Sequence, residues 1–331
     1  MKENKVIDAL LGLAVGDALG VPVEFMARTT LQRQPVTDMR GYGTHHQPPG
    51  TWSDDSSLAF CLAESLCNGY DLTDMATRFV NWQRQGYWAA HGTVFDIGMA
   101  TSVALQKIAT GTNPVAAGGT HEQDNGNGSL MRILPAIFYT KGLKIQARFE
   151  VINAISSLTH SHIRSIFACF LYTEYALLLL DELDKKQAFS ELQRQTKVFL
   201  AQNTVIDGQE LNHFHRLLEI QTNPGHTARS IDQYAEAEIA SSGYVVHTLE
   251  AAFWCFLTTD TYAEAVLKAV NLGSDTDTTA CVTGGLAGLY YGASSIPEKW
   301  VNALARKDEI VDLANRLNVR QGGLAPAESA K

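Results

Sequence analysis

Glycine recurs at intervals of four along the N-terminal apolar run, at Gly12, Gly16 and Gly20. Inside a helix each glycine costs about 1 kcal/mol against alanine, so its repeated use needs a compensating gain. The simplest gain is close approach of a neighbouring backbone. A second stretch near the far end of the chain has the same character, with Ala280, Gly284, Gly285, Ala287 and Gly288. Both read as central, tightly packed helices.

The remaining chain supports an all-α reading. Apolar residues recur at three- and four-residue spacing, and strict alternation over strand length is scarce. Helices are expected over 5–19, 56–68, 72–85, 95–109, 129–139, 148–158, 163–183, 188–202, 208–220, 244–258, 262–271 and 278–291. The 331 residues are expected to form one compact helical domain over 1–320. Within it, 182–242 is polar and of mixed charge and reads as a peripheral helical cap; 321–331 reads as a flexible tail.

Composition excludes several classes. Hydrophobic residues make up 45% and charged residues 18%, a profile that folds around a core. The net charge is -9 and no run of Lys or Arg could line a phosphate backbone, so nucleic acid is not an expected partner. Five cysteines without a CxxC pair read as buried, reduced thiols, which suits a cytoplasmic protein. Asp8 and Asp17 interrupt the only stretch resembling a signal peptide, and Tyr172, Thr173, Glu174 and Tyr175 interrupt the apolar run 166–180, so no membrane span is expected. The chain is expected to act as a monomer.

Loops carry the chemistry. Residues 40–55, 110–129 and 272–278 are rich in Gly, Pro, Asn, Asp and Thr and lead into helices. In Thr51-Trp52-Ser53-Asp54-Asp55-Ser56 one Ser or Asp needs no explanation beyond helix capping. Two adjacent aspartates repel, and a helix N-terminus offsets only about 0.3–1 kcal/mol at an exposed site. Gly273-Ser274-Asp275-Thr276-Asp277-Thr278-Thr279 repeats the pattern before the second small-residue helix. Oxygen ligands suit Mg²⁺ or Mn²⁺, and without Cys or His nearby zinc is disfavoured. Four carboxylates brought together can bind two such cations and so lower the pKa of a bridging water. Aspartate pairs also hold Mg²⁺ in prenyl-diphosphate enzymes, but Asp54-Asp55-Ser56-Ser57-Leu58 lacks the third acid of a DDxxD motif.

Five segments in order, Gly16-Asp17-Ala18-Leu19-Gly20 with Glu24, Trp52-Ser53-Asp54-Asp55, Gly126-Asn127-Gly128-Ser129-Leu130-Met131-Arg132, Thr159-His160 and Gly273-Ser274-Asp275-Thr276-Asp277-Thr278, closely resemble the ADP-ribosylglycohydrolase family. The founding bacterial member of that family reactivates dinitrogenase reductase. The resemblance spans residues 5 to about 292. It implies an all-α fold with a dinuclear magnesium or manganese site, for which Ser53, Asp54, Asp55, Asp275, Asp277 and Thr278 look like the ligands. Glu24 and Asp55 are implied as catalytic carboxylates. Asn127, Gly128, Ser129 and Met131 belong to the segment implied to hold a diphosphate, in keeping with the unpaired N–H groups of a glycine-rich turn. His160 matches a histidine at the ADP-ribose end.

Phe95-Asp96-Ile97-Gly98 and Gly243-Tyr244-Val245-Val246 resemble the bacterial subgroup. Asp96 is implied to face the scissile bond and pair with an arginine guanidinium, and Tyr244 to stack on the ligand. A surface aspartate and a core tyrosine are the plainer readings. The implied reaction is hydrolysis of the N-glycosidic bond between ADP-ribose and an arginine side chain of a modified protein. Other acceptors (serine, O-acetyl-ADP-ribose, a modified nucleotide) and a non-catalytic ADP-ribose-binding relative are the alternatives.

Overall fold

The glycine helices are partners. In a computed structural model, which describes residues 4–220 and 229–323, α1 (Lys5–Gly20) lies along α14 (Thr276–Tyr291). A Cβ on Gly12 would stand 2.4 Å from the carbonyl oxygen of Gly284, and one on Gly16 2.1 Å from that of Ala280. No Cβ fits at Gly12 or Gly16, which accounts for the helix-propensity cost there. Tyr262 Oη donates to the Gly12 carbonyl (2.6 Å) and Tyr172 Oη to that of Val282 (2.9 Å), tying the neighbouring helices to the pair.

Around this axis run α2 (Arg28–Arg33), α3 (Asp54–Asn68), α4 (Leu72–Gln85), α5 (Met99–Ala109), α6 (Ala136–Thr140), α7 (Ile145–Ser157), α8 (Ile163–Leu180), α9 (Lys185–Gln202), α10 (Gly208–Leu211), α11 (His215–Leu218), α12 (Val245–Leu257), α13 (Tyr262–Val270), α15 (Glu298–Ala303) and α16 (Lys307–Gly323). Among the described residues there is no strand, as an all-α chain requires. Helices α12 and α13 pack on α14, α8 packs on α12 and α14, and α16 closes the far side against α1 and α3. One continuous apolar core runs through them. Two helical stretches, Lys5–Val23 and Ile163–Leu180, are long and apolar enough to cross a membrane, but 94% of each is buried inside the fold. All five cysteines are free; four are buried and Cys67 is partly exposed.

Several elements differ from the sequence expectation. Residues 129–135 run as turns, and the helix expected over 129–139 begins only after Pro135, at Ala136. The segment 208–220 breaks into α10, a 3₁₀ turn and α11. Beyond 291, where no helix was expected, α15 and α16 follow, and α16 reaches Gly323 inside the expected tail. Its buried Ile310, Leu313, Ala314 and Leu317 carry the helical spacing plainly. Residues 324–331 of that tail and 221–228 of the expected cap lie outside the described residues. In the segment 182–242, α9 packs on α8, Arg164 holds Glu210 bidentately, and Arg28 donates to the carbonyls of Glu236, Ile239 and Leu272. Arg28 thereby staples this segment to the loop that precedes Asp275.

Candidate active site

Two helix N-termini meet at the acidic cluster. Ser53 caps α3, its hydroxyl accepting from the Asp55 N–H (3.3 Å), so Asp54 and Asp55 occupy the first turn. Asp275 stands at the N-terminus of α14, with Asp277 and Thr278 in the turn behind it. Thr278 Oγ1 donates to Asp55 Oδ1 (3.2 Å), joining the two clusters across 223 residues of sequence. The positive ends of both helix dipoles face these carboxylates. Behind them Asp17, fully buried on α1, accepts from the Ser53 N–H (3.0 Å), the Ser56 N–H (3.0 Å) and Ser56 Oγ (2.6 Å). It thus fixes where α3 starts.

Glu24 completes the group. It brings an oxygen to within 4.8 Å of oxygens of Asp275 and Asp277, and it also shares a cluster of that size with His45 and Asp96. Burial, then the charges of Asp96, Asp275 and Asp54, push the Glu24 carboxyl up to about 9. Burial raises Asp54 well above the carboxylate range, with Asp96 and Asp17 adding to it. Asp55 and Asp277 are raised likewise, by burial first and by neighbouring carboxylates second. Asp275 is raised by burial against the opposing effect of Asn127 Nδ2, which donates to Asp275 Oδ2 (2.8 Å). Among the described residues, Asp54, Asp55, Asp275 and Asp277 form no ion pair with a Lys or Arg, so these carboxylates crowd together.

A cavity of about 330 Å³ opens from this cluster. Its wall includes Glu24, Asp54, Asp96 and Asp275 together with Gly126, Asn127, Gly128 and His160. The glycine loop is held from behind: the Asn127 N–H donates to the Gly243 carbonyl and the Val245 N–H to that of Asn125. A Cβ on Gly128 would stand 2.8 Å from His160 Cε1, so this glycine is needed for the loop to close on the imidazole. His160 is buried, pairs through Nδ1 with Thr159 Oγ1 (2.7 Å), and is pushed down to about 3 by burial and by Arg132. Its ring is neutral at neutral pH.

A family model described as ADP-ribosylglycohydrolase matches residues 1–326. The chain belongs to this family. An ADP-ribosylarginine hydrolase Tri1 of Serratia proteamaculans is 35% identical over 318 residues, covering 95% of this chain and 79% of that protein. A protein of the same name from Pseudomonas putida is 33% identical over 312 residues, covering 93% and 76%. A solved structure described as an ADP-ribosylglycohydrolase-related protein complex superposes with a TM-score of 0.76 at 31% identity, covering 97% of this chain and 100% of that one.

As an ADP-ribosylglycohydrolase, this chain is expected to carry cations, and its donor set fits them. Asp55 Oδ2, Asp275 Oδ1 and Asp277 Oδ1 are buried without a hydrogen-bond partner. Buried anionic oxygens left unpaired are costly unless a cation meets them. The fold also brings in groups that are distant in sequence or were given no role. Cys281 Sγ lies within 4.8 Å of ligand atoms of Asp17 and Asp55, but burial raises that thiol far above the range in which it ionises. Oxygen remains the donor for a hard cation.

The structure gathers Glu24, Asp54, Asp96, Asn127, Gly128, Met131, His160, Asp275 and Thr278 on the cavity wall, with Ser53, Asp55 and Asp277 beside it. It turns two expected residues elsewhere. Ser129 is fully buried, its hydroxyl bonded to Ser156 Oγ (3.0 Å) and Cys169 Sγ (3.4 Å), and it is not part of the cavity lining. Tyr244 lies outside the cavity lining, with Arg164 over its ring and its hydroxyl 3.4 Å from His213 Nδ1. Three residues escaped the sequence reading. Asp17 sat in a quoted motif without a role, and its signal is an acid inside an otherwise apolar helix. His45 lay in a loop singled out only for its composition. Thr101, whose buried hydroxyl lacks a partner and lines the cavity, left no signal at all.

Proposed function

We propose that this protein hydrolyses the N-glycosidic bond joining ADP-ribose to an arginine side chain of a modified protein. The observation that carries the reading is the placement of Asp96, an intermediate-exposure carboxylate on the cavity wall, in one cluster with Glu24 and close enough to Asp54 to raise it. A carboxylate there can receive a planar guanidinium bidentately. Relatives 35% and 33% identical that bear the name ADP-ribosylarginine hydrolase support the same acceptor.

Ser53, Asp54, Asp55, Asp275, Asp277 and Thr278 would hold two divalent cations, Mg²⁺ or Mn²⁺, which when bound polarise oxygen and lower the pKa of water. Every other part of the task falls to the chain. The diphosphate would lie against the Gly126–Gly128 turn, where the glycines leave the backbone open, the Asn127 N–H being already taken by the Gly243 carbonyl. Neutral His160 packs against that end of the ligand without adding charge. Hydrolysis places a water oxygen on the anomeric carbon as the carbon–nitrogen bond breaks, and the leaving guanidine takes up a proton. Asp96 orients the guanidine, and Glu24, clustered both with Asp96 and with Asp275 and Asp277, is placed to supply that proton.

The test is release of free ADP-ribose from arginine-linked and from serine-linked ADP-ribosylated protein, each with Mg²⁺ or Mn²⁺. Release from the arginine-linked substrate is expected. Release from the serine-linked substrate alone reassigns the acceptor, and release from neither, with cation binding confirmed by calorimetry, ends the hydrolase reading.

A further inference from the structure

His45 takes no part in the chemistry set out above, yet it is built against Glu24 from several sides. Its Nε2 lies 2.5 Å from Glu24 Oε2. The loop carrying it is docked on the chain just before Glu24: the Thr44 N–H donates to the Pro22 carbonyl (3.0 Å) and Thr44 Oγ1 to the Glu24 carbonyl (2.7 Å). Gly43 permits this docking, since a Cβ there would stand 1.7 Å from the Pro22 oxygen. The imidazole is packed by Phe95 at 5.2 Å between centroids and by Phe25 at 6.1 Å. On the other side, the Phe25 N–H donates to the Ser274 carbonyl (2.6 Å), anchoring the Glu24 backbone to the loop before α14.

Glu24 belongs to two clusters at once, one with Asp275 and Asp277 and one with His45 and Asp96. A glutamate side chain has several rotamers and loses that freedom only when something holds its carboxylate. Among the described residues, His45 is the side chain hydrogen-bonded to that carboxylate. We propose that His45 is the positioning residue for Glu24, holding its carboxylate through Nε2 where the Asp275–Asp277 cluster meets Asp96.

This inference rests on the hydrolase reading, and the experiment separates the two. His45→Phe keeps the ring packing without a donor, and His45→Gln restores an amide donor. With ADP-ribosyl-arginine as substrate, His45→Phe is expected to lower kcat about 10- to 100-fold, the scale of a misplaced catalytic group, with KM within about threefold. His45→Gln is expected to recover most of the loss. In a Glu24→Ala background His45→Phe should cost less than about twofold more, because a residue acting through Glu24 is non-additive with it. A proton NMR signal of the His45 imidazole in cation-free protein, shifted by Glu24→Ala, reads the contact without turnover.

Full kcat in His45→Phe, equal losses in the Phe and Gln variants, additive losses with Glu24→Ala, or an imidazole signal indifferent to Glu24→Ala would each overturn the proposal. A wild-type protein that shows the coupled imidazole signal but releases no ADP-ribose would uphold the contact and sink the hydrolase reading instead.

Discussion

Gly20 and Asp277 are in backbone contact: a Cβ on Gly20 would stand 2.3 Å from the Asp277 Cα. The last glycine of α1 therefore sets the position of a carboxylate in the acidic cluster. Gly20→Ala is expected to force the helices apart, costing at least about 1–3 kcal/mol as overpacking does and weakening Mn²⁺ binding. Gly208→Ala, at a site with nothing within 4 Å, is the control and should change neither. Thermal melts and calorimetric Mn²⁺ titrations of both variants check the pair.

Removing one buried carboxylate should move stability and cation affinity in opposite directions. Asp277 is raised well above its ordinary range by burial and by Glu24 and Asp55, and its Oδ1 has no partner. Asp277→Asn should raise the melting temperature in EDTA, because it relieves crowding, and weaken Mn²⁺ binding by at least about tenfold. Asp54→Asn should behave alike. A variant that binds Mn²⁺ as tightly as wild type would remove that residue from the ligand set.

The same crowding fixes the sign of the pH dependence. Glu24 rises from 4.5 to about 9 and Asp17 from 3.8 to about 6, both through burial first. An unfolded chain releases these protons at the lower values. The protonated folded forms thus contribute stability that is full below about 4 and lost as pH climbs toward 9. In EDTA the melting temperature should fall from pH 5 to pH 9, and saturating Mn²⁺ should flatten or reverse the slope. A rise in EDTA over that range would contradict the assignment.

Asp17 should matter for assembly rather than contact with substrate. Its carboxylate receives two backbone N–H groups and one hydroxyl at the start of α3. Asp17→Ala leaves buried donors unsatisfied, at about 1–3 kcal/mol each. We expect a lower melting temperature and weaker Mn²⁺ binding, with Asp17→Asn milder on stability because an amide oxygen still accepts. Unchanged melting in Asp17→Ala would show that the cap of α3 does not depend on it.

Much of this was legible in the chain. The glycine spacing at 12, 16 and 20 and the small residues at 280–288 announced a close helix pair, because backbone contact leaves no other residue type available. The aspartates at 54, 55, 275 and 277 stood out because adjacent like charges before a helix exceed what capping explains. Residues 129–135 did not announce themselves as turns. Their apolar spacing suits a helix, yet the Gly128 carbonyl is taken by Arg132 and Ser129 is drawn toward Ser156. The local Arg132 contact and the distant Ser156 contact together override helix propensity there.

The sequence alone settled that the chain is helical, that two helices touch along their backbones, and that oxygen-rich loops precede two helix starts. Those are local facts, written in spacing and residue size. Only the tertiary structure decided which side chains share one small volume: Thr278 bonded to Asp55, Asp17 behind Ser53, Ser129 turned inward, and His45 on Glu24. Hydrogen-bond and charge contacts of this kind depend on distances between segments far apart in the chain. Spacing along the sequence carries no record of them.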